Sequence, residues 1–180
     1  MCQKLSLGGW EKPVGALIFG VGLVAVLILE ANLYTGKIGY IDAAKSWFDV
    51  FDITLMLLLN LTAAFVVGLV FRGCMGDAAA MASRLAKPWY RILLDSIGCG
   101  ACIYIAVEGY KQTKSFVPVI LGVMAFILAG FEHCVADAFY YGTSELTWKG
   151  LGYIGLIVLG NSIGSLLIRF LQKGIKHEEH

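Results

Sequence analysis

From Ile53 to Phe71 the chain carries no charged side chain. A run of that length and character matches the hydrocarbon core of a bilayer, which about 20 helical residues cross. Backbone groups in lipid must be satisfied internally, so only helices and closed barrels span it. The run lacks the apolar-polar alternation of a barrel strand, and the spanning element it predicts is an α-helix.

Four further stretches repeat the pattern: Val14–Leu29, Ile92–Val107 (apolar except for Asp95), Ser115–Phe131 and Gly150–Ile168. Composition agrees. Hydrophobic residues make up 58% of the 180 and charged ones 15%, where soluble domains average about 45–50% and about 25%. The mean hydropathy is +0.76. Five or six crossings would consume the length, leaving no room for a soluble domain of normal size. A net charge of +1 offers phosphates no basic field, which argues against nucleic acid as a partner. The expectation is an all-α membrane protein formed by one transmembrane unit, 1–180, with five transmembrane helices near 14–34, 53–71, 91–109, 115–136 and 150–171. The polar start, Met1–Pro13, does not read as a cleaved signal peptide.

The connections are short. Tyr40–Phe51 reads as an amphipathic piece with Trp47, Phe48 and Phe51 as interface anchors, and Arg72–Tyr90 predicts a short surface helix. Tyr140, Tyr141 and Trp148 follow the aromatic-belt pattern. The tail from Lys173 to His180 is polar and expected to fray. Lys and Arg divide seven to seven between the two sides of a five-span topology, so charge does not orient the chain.

The first and fourth apolar runs each stop at a glutamate with polar or helix-breaking residues behind it: L-E-A-N-L-Y-T-G, Leu29–Gly36, and G-F-E-H-C-V-A-D, Gly130–Asp137. Glu30 or Glu132 alone is equally well read as a helix end at the membrane interface. Together they fit a pair of interrupted spans in corresponding halves of an inverted repeat. Such breaks are expected to leave backbone N–H groups free near the midplane to receive an anion. His133 is the one histidine outside the tail, and an ionisable residue inside a membrane is a functional candidate. Cys99 and Cys102 form a CxxC within an apolar run, read as small apolar filler.

These segments resemble the formate/nitrite transporter family, pentameric channels for small monovalent anions, over about Gly9–Arg169. Leu29–Gly36 is similar to the family's interrupted second helix with its gating threonine, which falls on Thr35. Ala82–Gly100 resembles the approach to the fourth helix. Gly130–Asp137 resembles the interrupted fifth helix with its central histidine, which falls on His133. Leu159–Gly164 resembles the final helix and carries Asn161.

The resemblance implies an aquaporin-like inverted-repeat fold whose first repeat is incomplete, because the match begins just ahead of the family's second helix. It implies a homo-pentamer in a lipid bilayer, in a bacterial cell membrane. The implied substrate is formate, nitrite or hydrosulfide, with or without an accompanying proton, and the protein is not an enzyme and needs no cofactor or metal. The family's apolar constrictions fall on Phe19 with Leu23, and on Phe126; read without the family, these three are lipid-facing or packing residues. Glu30, Asn32, Glu132, Asp137 and Asn161 fall at the helix breaks, and Arg84 stands in a vestibule where the family has lysine. Asp137 replaces a family asparagine and is expected to interact with His133, Gly100 replaces another, and Asp49–Leu59 matches the third helix poorly. Two other readings stand beside the channel: an accessory membrane protein that keeps the fold without an open pathway, and a redox or metal protein using Cys99, Cys102, Cys134 and His133.

Overall fold

The computed structural model describes residues 9–43, 46–75 and 78–178. The polar start with Cys2, the pairs 44–45 and 76–77 and the last two residues lie outside them. The described residues form helices and connections. In chain order these are α1 (Glu11–Ile28), α2 (Tyr34–Lys37), a 3-10 turn (Ile38–Ala43), α3 (Trp47–Met75), α4 (Ala78–Leu85), α5 (Trp89–Thr113), α6 (Val117–Ala129), α7 (Cys134–Thr143) and α8 (Trp148–Glu178).

Among the described residues α3, α5 and α8 are each long and apolar enough to cross a membrane alone. α6 and α7 together make a fourth crossing, bent by 52° at the break between them. Lys12–Ile28 within α1 is apolar but shorter than a span; α2 continues it beyond a second break. The order broken helix, long helix therefore occurs twice, as α1–α2–α3 and α6–α7–α8, with α5 between. Two crossings, α3 and α5, lie between α1–α2 and α6, so the two copies run in opposite directions, the inverted-repeat plan of the aquaporin-like fold.

Several boundaries differ from the sequence-based expectation. α3 starts at Trp47, so Tyr40–Phe51 is divided between the 3-10 turn and α3. Ser46 explains the start: its N–H donates to Asp49 Oδ2 at 2.9 Å and its hydroxyl to the same oxygen at 3.2 Å, while the Asp49 N–H donates back to Ser46 Oγ at 3.4 Å. That is a capping box. Asp49–Leu59 lies inside this helix, despite its poor match to the family pattern. The second broken span runs on to Thr143, not 136, and α8 carries the expected tail as helix to Glu178. The expected surface helix is α4.

α5 packs mainly on α8, α3 on α7, and α6 on both α1 and α5. The α5–α8 crossing is close enough to dictate a residue. A Cβ on Gly100 would stand 2.1 Å from the Asn161 carbonyl oxygen, so this position admits only glycine, and the family's asparagine has no room. One apolar core joins Leu23, Cys99, Ile103, Val107, Val119, Val123 and Phe126, and a second joins Tyr34, Ile38, Ile92, Cys134 and Ile157. Cys99 and Cys134 thus serve as packing residues, and Cys102 is half-buried against the first core.

Candidate functional site

The two helix breaks are built alike, one hundred positions apart. α1 ends with Glu30 N–H donating to Leu27 O and Ala31 N–H to Val26 O; α6 ends with Gly130 N–H to Ile127 O and Phe131 N–H to Phe126 O. These are Schellman closures, which need a left-handed residue after the helix. Glu30 (φ 52°) and Gly130 (φ 75°) supply it. The chain then runs extended through Leu33 (φ −108°, ψ 122°) and His133 (φ −117°, ψ 119°) before turning into α2 and α7.

An asparagine from the following long helix clamps each break. Asn60 of α3 accepts the Tyr34 N–H at Oδ1 (2.9 Å) and donates from Nδ2 to the Asn32 carbonyl (3.1 Å). Asn161 of α8 accepts the Cys134 N–H at Oδ1 (2.9 Å) and donates to the Glu132 carbonyl (2.9 Å) and to that of Ser96 (2.9 Å). The Gly36 N–H goes to Leu33 O, and Ala136 N–H to His133 Nδ1 at 3.3 Å. Of the N–H groups at the two breaks, where free donors for an anion were expected, those of Tyr34, Gly36, Cys134 and Ala136 are already taken. The reason is the cost of leaving a backbone donor unpaired away from water.

The breaks bring their side chains together. Thr35 Oγ1 lies 3.1 Å from His133 Nε2, and both residues are buried. Because Nδ1 accepts from Ala136, the neutral ring carries its proton on Nε2 and donates it to Thr35. The Thr35 oxygen is then filled from the histidine side, and its own O–H is the group left to donate elsewhere. Phe126 stacks on the imidazole, with centroids 5.7 Å apart and planes at 20°. Phe19 stands edge-on to His133 at 6.3 Å and to Phe126 at 6.0 Å. Phe19 and Phe126, expected at different constrictions, thus form one aromatic group, since α1 packs on α6. Leu23 is buried in the same core as Phe126.

Glu132 and Asp137 belong to a second arrangement. Arg84 Nε pairs with Glu132 at 2.9 Å and with Asp137. Lys87 Nζ pairs with Glu132 at 2.6 Å and Asp95 at 3.0 Å, and Arg91 with Asp95 at 3.0 Å. Three acids thus face three bases. Burial alone would lower the Arg84 guanidinium, yet Asp137 and Glu132 outweigh it and hold it above its ordinary value. Lys87 is likewise held above its ordinary value, with burial opposed by Glu132 and Asp95. Asp137 is fully buried, and neither of its oxygens receives a well-directed hydrogen bond. Its partner is Arg84 rather than the His133 ring, and the hydrogen bond that links it to His133 joins Asp137 N–H to His133 O at 2.8 Å. Asn32 and Glu30 sit at the exposed edge of the first break, where Asn32 Oδ1 accepts from Lys37.

Sequence reading missed three things. Asn60 interrupts the Ile53–Phe71 run, and it stands as far after Trp47 as Asn161 stands after Trp148; that register was the available signal. Lys87 and Asp95, the second and third, join the charge cluster only where the connection between α4 and α5 meets Glu132. Beyond these, Tyr40 donates to Glu108, which also accepts from Gln172 at 3.0 Å, while Lys111 Nζ lies 3.4 Å over the Tyr40 ring; no sequence spacing announces this contact.

Paired interrupted helices in opposite halves, meeting at a buried threonine and histidine, define a class of helical membrane transport protein. The family model for the formate/nitrite transporters matches residues 2–173, and the chain belongs to that family, one of channels and transporters, not of enzymes. It is 27% identical to the uncharacterized transporter YrhG of Bacillus subtilis, covering 87% of this chain and 68% of that protein. It is 28% identical to the formate channel BtFdhC of Bacillus thuringiensis (87% and 70%) and 26% identical to the formate channel FocA of Haemophilus influenzae (83% and 64%). The chain thus spans about two thirds of their length. Among solved structures, an FNT family ion channel superposes with a TM-score of 0.83 at 20% identity, covering 97% of this chain and 80% of that one. A pentameric formate channel with formate bound gives 0.75 at 17% (94% and 84%). Both share the fold.

Proposed function

We propose that the chain is a channel for small monovalent anions, formate first, with nitrite and hydrosulfide as members of the same size and charge class. It works as a homo-pentamer in a bacterial cell membrane, with one path in each protomer. The relatives named as formate channels support the substrate class, and the pentameric neighbour supports the assembly. The observation that carries the reading is the Thr35–His133 hydrogen bond set against Phe19 and Phe126.

A bare anion entering an apolar ring loses its hydration at a cost of several kcal/mol. Formate arriving at Thr35 accepts a hydrogen bond from the hydroxyl, because Thr35 is the acceptor in its contact with His133 and its O–H stays free to donate. Nε2–H of His133 stands behind as a second donor once it turns from Thr35. Passage of the neutral acid past Phe19, Leu23 and Phe126 requires the imidazolium, which gives up one proton, returns to the neutral ring and is recharged from bulk water. Arg84 is matched by Glu132 and Asp137, so it holds the vestibule side of the break together rather than presenting a bare charge.

Stopped-flow formate uptake into proteoliposomes tests this. The wild-type chain is expected to exceed empty liposomes, and His133→Phe to fall toward them. Wild-type uptake at the empty-liposome rate would replace the reading with that of an accessory protein that keeps the fold alone.

A further inference from the structure

The two breaks receive the same carboxamide clamp, but different chemistry rides on each. One position after the carbonyl that Asn161 holds stands His133. Three positions after the carbonyl that Asn60 holds stands Thr35, in the short helix whose first N–H Asn60 accepts. α2 has four residues and no side-chain cap of its own, so little inside it fixes where Thr35 points. Asn60 supplies both a donor and an acceptor to the extended segment that leads into it.

We propose that Asn60 is a positioning residue for the anion path: its clamp on Asn32 and Tyr34 sets the place of the Thr35 hydroxyl against His133. This rests on the channel reading for its consequence in transport, but not for the clamp itself. Asn60 does not touch the Thr35–His133 pair; it acts through the backbone of residues 32–34. Nor is it interchangeable with an apolar residue, because losing the carboxamide strands the N–H of buried Tyr34 and takes the protein donor from the Asn32 carbonyl at the exposed edge.

The chemistry of the clamp suggests its own test. A neutral aspartic acid has the shape of asparagine, with a carbonyl to accept from Tyr34 and an O–H to donate to Asn32. An ionised aspartate can only accept. Asn60→Leu and Asn60→Asp are therefore compared with the wild type, as full-length chains in proteoliposomes, by amide hydrogen exchange over residues 31–36 and by formate flux at pH 5 and pH 9. In Asn60→Leu, protection over 31–36 should fall about tenfold and flux by a similar factor, with protection over 130–137 retained. Asn60→Asp should match the wild type at pH 5 in both readouts and approach Asn60→Leu at pH 9.

Unchanged protection over 31–36 in Asn60→Leu overturns the inference, and so does an Asn60→Asp variant whose protection relative to the wild type ignores pH. If Asn60→Leu loses protection at both breaks, the pH response of Asn60→Asp decides. Absent formate flux in the wild type would remove the channel reading, while the exchange data would still settle the clamp.

Discussion

Glu30 and Gly130 hold the same left-handed backbone position, one hundred residues apart, with φ of 52° and 75°. Each closes a helix at the point where its half of the repeat is interrupted. Only one of them is a residue suited to that conformation. A side chain at positive φ costs about 1–2 kcal/mol per residue, and Glu30 bears that cost.

Glu30→Gly should therefore raise stability by about 1 kcal/mol, after allowing for the added freedom of the unfolded chain. Gly130→Ala should lower it by about as much. No atom lies within 4 Å of a Cβ built at Gly130, so backbone strain is its whole cost. Thermal unfolding of the two variants in one detergent gives both signs, and equal melting temperatures would contradict the argument.

Thr35→Ser keeps the hydroxyl and should retain most of the formate flux. Thr35→Val keeps the shape, strands His133 Nε2–H and removes the donor left for the anion, a loss of about tenfold or more. His133→Phe should fall at least as far. Flux in Thr35→Val equal to that in Thr35→Ser would show that the hydroxyl takes no part.

Arg84 and Asp137 predict a coupling. Removing one member of a buried ion pair strands the other, at about 3–5 kcal/mol, whereas removing both costs less than the sum. Arg84→Leu and Asp137→Leu should each destabilise strongly, and the double variant by clearly less than the two added together. Additive losses in a denaturation cycle would mean that the pair is not coupled.

The Lys87 ammonium is held above its ordinary value of 10.5. A raised folded-state value means that the pairing contributes fully below about pH 10.5 and is lost as pH rises through the higher folded value. The melting-temperature gap between wild type and Lys87→Met should stay level from pH 8 to pH 10 and shrink above that. A gap that closes between pH 7 and pH 9 would place the stabilisation elsewhere.

Gly100→Asn restores the residue that the family pattern has in this helix, yet it should destabilise by about 3 kcal/mol or more. Its Cβ would press on the Asn161 carbonyl and disturb the clamp on Cys134. Gly100→Ala should do nearly as much harm. An unchanged melting temperature for either would show that α5 and α8 can separate here at little cost.

The helical class was decided by hydropathy alone, because a bilayer leaves a long uncharged run such as Ile53–Phe71 few ways to satisfy its backbone. The two breaks were legible as well: Glu30 and Glu132 end apolar runs with polar residues close behind, and the F-E-H segment pointed to the family. Local chemistry that lies within a few residues could also have been read, as the Ser46–Asp49 capping box illustrates.

What only the tertiary structure decided was who pairs with whom. Thr35 and His133 are 98 residues apart, and nothing in either segment specifies their meeting. Asp137 turned to Arg84 because a buried carboxylate needs a compensating charge, and α4 brings one closer than the His133 ring. The N–H groups of Tyr34 and Cys134 were closed by Asn60 and Asn161, since a donor in a dry setting takes the nearest acceptor that packing delivers. Sequence states which groups need partners in a membrane; the crossing of α3 with α7 and of α5 with α8 determines which partners are within reach.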